Sequence, residues 1–191
     1  MRKFVLIMAI LSLLGGCADD PGKVTIRNTV KVDSHSADMC AYKWLQGECA
    51  DFQQISVAES IRFIKDGGSG ILYYGFNGCP FCERAVPILN QAALEAGITI
   101  YYVDVKAEPV ATQEEYEELV SLLETTFNPD QKGNLTFFVP EVIGIKKGKI
   151  TGYHVALVGG WTPIDEDDQM DDLQKTKLLD IYRNIIISAG G

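Results

Sequence analysis

Two cysteines separated by two residues are the part of this sequence whose types and spacing point most directly to chemistry. Cys79 and Cys82 follow an apolar, aromatic run at 71–76 and open a stretch with helical spacing. The unpaired N–H groups and positive dipole end at a helix start stabilise a thiolate. Two thiols one turn apart are also close enough to form a disulfide. The pattern therefore predicts thiol–disulfide exchange.

Each residue of this motif has an expected role. Cys79 is expected to be the exposed nucleophile that forms a mixed disulfide, and Cys82 the shielded thiol that resolves it. Pro80 suits an early helix position, because a backbone N–H there has no partner inside the helix. Phe81 is expected to offer an apolar face to a substrate; the alternative is a partly buried ring.

The segments around the motif predict alternating strands and helices. The 71–76 run lacks polar alternation, which indicates a central strand buried on both faces. Residues 98–105 are β-branched and aromatic, as in a strand, and residues 142–158 read as a hairpin. With a final helix, the order β-α-β-α-β-β-α calls for an α/β fold in which helices cover both faces of a mixed sheet.

Capping-box patterns predict two further helices, beginning at Ser56 and at Thr112. The apolar residues of the second helix, including Tyr116, recur at helical spacing and are expected to face the core. Before residue 51 the pattern is irregular, with possible short strands at 24–26 and 30–32.

This order resembles the thioredoxin fold from about residue 56 to the C-terminus. Four landmarks beyond the cysteines match: Pro87 in the first core helix, Pro140 before the hairpin, the turn at 147–149, and Val158-Gly159. The resemblance implies that Pro140 is a cis-proline beside the cysteines and that Val139 presents its backbone to an extended substrate strand. Tyr-Tyr-Gly-Phe before the motif, and an extra helix before the cis-proline strand, look like the bacteriocin transport accessory proteins of this superfamily.

Two departures from the thioredoxin pattern concern the motif's surroundings. Thioredoxins have a buried Asp where this chain has Tyr73, and a Trp where it has Gly78. Neither loss prevents exchange, but proton transfer must differ. Glu83 and Glu141 are candidates to take part, although each is expected to be a solvated charge.

The N-terminus is typical of a secreted lipoprotein. A charged start and an apolar run at 4–14, too short to span a bilayer, lead to Leu-Gly-Gly-Cys17, which resembles the bacterial lipobox. We expect a signal peptide at 1–16, a lipidated Cys17 heading a tether and irregular extension at 17–50, and a thioredoxin-like domain at 51–191. The alternative is an ordinary signal peptide cut near the glycines.

Two cysteines remain, Cys40 and Cys49. A structural disulfide between them is the favoured interpretation outside the cytoplasm. A second redox pair, free thiols and a four-cysteine zinc site are the alternatives, although C-x8-C does not match common zinc modules. Copper delivery through the cysteines and Met39 lacks a supporting His or Met cluster.

The composition and the motif together define the expected function. A net charge of −9 without a basic run argues against nucleic acid as a partner. We expect a thiol:disulfide oxidoreductase without a cofactor or metal, anchored by lipid to the outer side of a bacterial membrane and acting on exported proteins. The alternative is a non-catalytic, peptide-binding accessory protein of a secretion or bacteriocin export system.

Overall fold

The structure is a computed structural model that describes residues 23–127 and 136–191. The expected signal peptide at 1–16 and the lipidated Cys17 lie outside the described residues, so both stay predictions. Within the described ranges, the helices are all too short or too polar to cross a bilayer.

Residues 23–127 and 136–191 form six strands and four helices. The strands are β1 (His35–Ser36), β2 (Asp51–Ile55), β3 (Gly70–Gly75), β4 (Thr99–Asp104), β5 (Glu141–Lys146) and β6 (Lys149–Val155). The helices are α1 (Val57–Lys65), α2 (Pro80–Ala96), α3 (Gln113–Leu122) and α4 (Asp172–Ala189). Short 3-10 turns occupy Met39–Ala41, Glu124–Thr126 and Val158–Gly160.

The strands form one mixed sheet in the order β1-β2-β4-β3-β5-β6. Strands β2, β4 and β3 run parallel, while β1, β5 and β6 pair antiparallel with their neighbours. All six residues of β3 are buried, as expected for a central strand. Helices cover both faces of the sheet, and the predicted extra helix before the cis-proline strand is α3. The expected thioredoxin-like α/β fold is therefore confirmed.

Each face of the sheet has its own core. Helices α2 and α4 pack with apolar residues of β3, β4 and β5 on one side, which we call the cysteine face because Cys79 and Cys82 belong to this cluster. Helices α1 and α3 pack on the opposite face. Because successive strand residues point to opposite sides, Tyr73 lies in the first cluster and Tyr74 in the second.

Local sequence explains where the helices begin and end. Thr112 and Glu115 form the predicted reciprocal capping box at α3. At α1 the Ser56 hydroxyl accepts the Glu59 N–H at 3.0 Å, but the Glu59 carboxylate accepts the Asp33 backbone N–H and the Arg62 guanidinium instead of closing the box. Gly97 ends α2 in the left-handed conformation that favours glycine.

Three expectations about the elements were wrong or incomplete. Residues 24–26 and 30–32 are not strands; Val24 instead donates its N–H to the Ala96 carbonyl at the end of α2. Strand β2, which pairs with β4, was not foreseen. Tyr116 is 41% exposed rather than part of the core, because only the Leu119 side of α3 faces α1.

Candidate active site

The backbone at the start of α2 holds the two cysteines in a defined relation. Gly78, at φ +84°, turns the chain out of the loop after β3, and Cys79 is the N-cap of α2. The Cys79 sulfur accepts the Cys82 N–H at 3.4 Å, so it takes one of the N–H groups that the first helical turn leaves unpaired. Pro80 is the first helical residue, as expected.

The two sulfurs have opposite protonation tendencies. Hydrogen bonds from the Cys82 thiol, and from the Cys82 and Phe81 N–H groups, lower the pKa of Cys79 below its ordinary value, although burial opposes them. Burial raises the pKa of Cys82 far above its ordinary range, and the neighbouring Cys79 sulfur raises it further. The site thus holds a thiolate beside a thiol, the arrangement that exchange requires.

Cys79 is less exposed than the sequence led us to expect. Cys79 is 5% exposed and Cys82 0%, so the order is as predicted, but both belong to the buried cluster. Half-buried Phe76 and Phe81 pack against this cluster. A disulfide partner therefore has only the small exposed part of Cys79 to reach.

The remaining residues of the predicted site lie at the same end of the sheet as the cysteine loop. The Val139–Pro140 peptide bond is cis, as the resemblance implied. Pro140 precedes β5, whose first residue pairs with Tyr74 near the end of β3, and the cysteine loop leaves the sheet at that end. Val139 is half-buried and packs against the cluster that contains both cysteines. Pro80 is exposed beside them.

Glu83 is buried, contrary to the expectation of a solvated charge. It is 6% exposed, and its carboxylate accepts the backbone N–H groups of Lys43 at 2.6 Å and Gly78 at 2.8 Å. The Asn77 amide donates to it at 3.3 Å. Glu83 therefore fastens both the cysteine loop and the segment before β2 to the first turn of α2.

Glu141 is also buried rather than solvated, and it lies away from the cysteines. It is 0% exposed and points toward the α1 and α3 side of the sheet, next to Thr126 and Tyr74. Burial raises the pKa of Glu141 to about 7, although the Thr126 hydroxyl opposes the shift. The fold keeps it from direct contact with the motif, because alternate strand residues face opposite sides.

Sequence reasoning missed one residue of the site altogether. Tyr42 comes from the irregular segment before β2, and its hydroxyl lies 3.4 Å from the Tyr73 hydroxyl. Tyr73 in turn is beside the Cys82 sulfur. No local pattern marks Tyr42, because its neighbours in space are 31 and 60 residues away in sequence.

Cys40 and Cys49 are exposed thiols in this structure. Their side chains are near each other, and partial burial, together with the adjacent Cys40, raises the pKa of Cys49. The disulfide between them stays a prediction. Among residues 23–127 and 136–191, no group of three or more His, Cys, Asp or Glu side chains could hold a metal ion.

Comparison with known families agrees with this geometry. Residues 71–127 match the glutaredoxin family model. This match, within the thioredoxin-like superfamily, covers β3, the two cysteines and the elements through the turn after α3, and it indicates thiol–disulfide redox chemistry. A comparison with curated proteins finds no match. Neither comparison supports the narrower bacteriocin transport accessory type.

Proposed function

We propose that this chain is a thiol:disulfide oxidoreductase that exchanges disulfides with exported proteins and is tethered to the outer side of the membrane by lipid on Cys17. The observation that carries the redox part is the asymmetry of the two sulfurs: Cys79 is stabilised as a thiolate at a helix start, and Cys82 is a buried thiol one turn away. The lipobox-like N-terminus supports the location.

The exchange proceeds in two balanced steps. The Cys79 thiolate attacks one sulfur of a substrate disulfide, forms a mixed disulfide and releases the other substrate sulfur as a thiolate. The Cys82 thiol loses its proton and attacks the Cys79 sulfur, which releases the second substrate thiolate and leaves Cys79–Cys82 oxidised. The substrate gains the two electrons that the protein loses. Oxidation of a substrate dithiol is the same sequence in reverse.

Two features beside the motif suit a polypeptide substrate. Val139, before cis-Pro140, packs against the cluster that contains the cysteines, and its backbone lies just before β5, where an extended strand can pair. On the other side, a groove of about 540 Å³ runs past Gly78 and Pro80 to Ile164, which is 94% exposed. Phe81 adds a half-buried aromatic ring. Together these surfaces offer apolar contacts on both sides of the reacting sulfur.

The second candidate is a non-catalytic accessory protein that uses the same groove to bind extended peptide. The groove and the exposed Ile164 favour it, but such a module needs neither cysteine. The first prediction separates the two: Cys79→Ser should abolish insulin reduction and the refolding of a reduced, disulfide-containing protein, because the motif loses the thiol that forms the mixed disulfide.

Cys49→Ser is the matched control, since it removes an exposed thiol outside the motif. Full activity in this control together with loss in Cys79→Ser supports the oxidoreductase. Equal activity in wild type and Cys79→Ser, or none in either, supports the peptide-binding module.

A further inference from the structure

A line of buried hydroxyl groups leads away from Cys82 through the cysteine face. Tyr73 and Cys82 belong to the same buried cluster, with the Tyr73 hydroxyl next to the Cys82 thiol. The Tyr42 hydroxyl is 3.4 Å from the Tyr73 hydroxyl. Tyr42 donates to the Tyr102 hydroxyl at 3.1 Å. Tyr102 and Asp104 are two residues apart on β4, so both side chains project from the same face of the sheet and the Asp104 carboxylate lies near the Tyr102 hydroxyl. The line therefore joins a fully buried thiol to a half-buried carboxylate.

Packing fixes the rings that carry these hydroxyls. Tyr73 and Tyr102 are directly paired on neighbouring strands and their rings stack with centroids 5.4 Å apart. The Tyr42 ring meets the Tyr102 ring edge-on at 6.3 Å. The Tyr73 side chain lies along β3 over Gly75, where a Cβ atom would overlap its hydroxyl. Glycine at 75 is thus what makes room for this position.

The buried thiol needs such a route. Cys82 must lose its proton before it attacks the mixed disulfide, and burial opposes that loss. The titratable groups that face it are Cys79 on its own helix, Tyr73 on β3, Tyr42 before β2 and Tyr182 on α4. None of these is a carboxylate.

The nearby carboxylates are otherwise placed. Both carboxylate oxygens of Glu83 accept backbone N–H groups, and Glu141, paired with Tyr74, lies on the opposite face of the sheet. Asp104 is at the end of the hydroxyl line, and it accepts the Lys106 N–H on Oδ1 at 2.8 Å, so within the described residues Oδ2 is left for the Tyr102 proton.

We propose that the hydroxyls of Tyr73, Tyr42 and Tyr102 form a proton relay that carries the proton of Cys82 to Asp104 when the mixed disulfide is resolved. This inference rests on the proposed oxidoreductase function. The relay takes the place of the buried carboxylate that Tyr73 replaces in the thioredoxin pattern.

The relay step balances without any added reactant. The Cys82 S–H proton passes to the Tyr73 oxygen, and each hydroxyl passes its own proton to the next, from Tyr73 to Tyr42, from Tyr42 to Tyr102 and from Tyr102 to the Asp104 carboxylate. The step ends with a Cys82 thiolate, three neutral tyrosines and a protonated Asp104, which then loses its proton to solvent. The thiolate attacks the Cys79 sulfur.

The relay makes the segment before β2 part of the active site. Tyr42 supplies its middle hydroxyl, and the segment is held in place by hydrogen bonds from the Asn77 amide to the Ala41 carbonyl and from the Lys43 N–H to Glu83. Further along, Asn90 on α2 accepts the Ala50 N–H at 2.8 Å. The fold core alone, from β2 onward, would lack this hydroxyl.

The second prediction tests the relay with an aromatic disulfide such as 5,5′-dithiobis(2-nitrobenzoate) in stopped flow. The full chain carries Cys17→Ser, Cys40→Ser and Cys49→Ser, so that only the motif reacts. Attack by Cys79 releases the first nitrothiobenzoate, and resolution by Cys82 releases the second. Tyr42→Phe should leave the first phase unchanged and slow the second about 100-fold, the scale of a lost proton-transfer contribution.

Tyr74→Phe is the matched control, because it removes a buried hydroxyl from the adjacent residue on the opposite face. The second phase of Tyr42→Phe should also rise steeply between about pH 6 and pH 9, since bulk base must then remove the proton. A purely structural effect would change the rate by one factor at every pH. Asp104→Asn removes the proton acceptor at the far end of the relay and should show the same pH dependence. This second variant keeps the relay testable if Tyr42→Phe unfolds.

The outcomes distinguish the relay from the function on which it rests. Two phases in the parent chain, with equal second phases in Tyr42→Phe, Asp104→Asn and Tyr74→Phe, would overturn the relay alone. Absence of a second phase in the parent chain would overturn the oxidoreductase function and the relay with it. A slow, pH-dependent second phase in both relay variants supports the relay.

Discussion

The two faces of the sheet bury polar groups in different ways. On the cysteine face, the Tyr42 hydroxyl contacts the hydroxyls of both Tyr73 and Tyr102. On the opposite face, Glu141 is fully buried, and neither of its carboxylate oxygens has a hydrogen-bond partner among the described residues, because the nearby Thr126 hydroxyl donates to the Leu123 carbonyl at 2.8 Å. A linked set of polar groups can share a proton, whereas an isolated carboxyl can only stay neutral or destabilise the fold.

The comparison also shows why burial by itself does not identify a functional group. Glu141 has a strongly raised pKa and is one residue from cis-Pro140, yet the sheet separates it from the cysteines. Cys82 has its pKa raised by burial as well, but it contacts Cys79 and Tyr73. Contact with the reacting atoms distinguishes the two groups, and the following substitutions test that distinction.

The third prediction is the largest effect on stability, and it concerns Glu141. In the unfolded chain this carboxyl ionises near its ordinary pKa of 4.5, and in the folded chain near 7. Between these values the unfolded state releases a proton that the folded state keeps, so stability falls as the pH rises through this window and levels off above it. The difference in free energy of unfolding between Glu141→Gln and wild type should therefore shift in favour of Glu141→Gln by on the order of 3 kcal/mol from pH 4 to pH 8.

Urea unfolding of both proteins at the two pH values measures this difference. Glu124→Gln, at an exposed position in the turn after α3, is the control and should show no such pH-dependent gain. Thiol exchange should be unchanged in Glu141→Gln. A stability difference independent of pH would contradict the assignment of a neutral, buried carboxyl.

Much of the fold could be predicted because its signals are local. The apolar run of β3, the two capping residues and Gly97 each act within a few neighbouring residues, and the elements formed where these patterns placed them. The cysteine motif and Pro140 were likewise readable from spacing and order.

The rest depends on contacts between distant residues. Strand β2, at Asp51–Ile55, contains two glutamines and has a weak local signal; it is a strand because it pairs with β4, 48 residues further along. Glu83 is buried because a distant backbone N–H, that of Lys43, reaches its carboxylate. Tyr42 entered the site for the same reason.

The fourth prediction concerns the segment that carries Tyr42 to the cysteine face. Cys40 and Cys49 lie on either side of Tyr42, and their side chains are near each other. Oxidation of this pair should stabilise the fold by about 2–3 kcal/mol, because the disulfide restricts the unfolded chain. Urea unfolding with and without reductant measures the effect in a chain that carries Cys17→Ser, Cys79→Ser and Cys82→Ser.

The control for this measurement is the same chain with Cys40→Ser and Cys49→Ser added, which should not respond to reductant. If the chain that retains Cys40 and Cys49 is equally insensitive under oxidising conditions, the pair does not form a disulfide, and the segment is held by hydrogen bonds and by the packing of Met39 and Tyr42.

The fifth prediction uses crowding to separate the relay from its surroundings. In Gly75→Ala the new Cβ would lie 2.5 Å from the Tyr73 Cζ atom, so the ring must shift. We expect a stability loss of about 2 kcal/mol, typical of overpacking, and a slower second phase of the aromatic-disulfide reaction, because the Tyr73 hydroxyl moves from Cys82. Gly144→Ala crowds the Ile185 carbonyl at 2.9 Å and should lose similar stability, but its second phase should be normal. Equal second phases in the two variants would show that the position of the Tyr73 hydroxyl does not matter to Cys82.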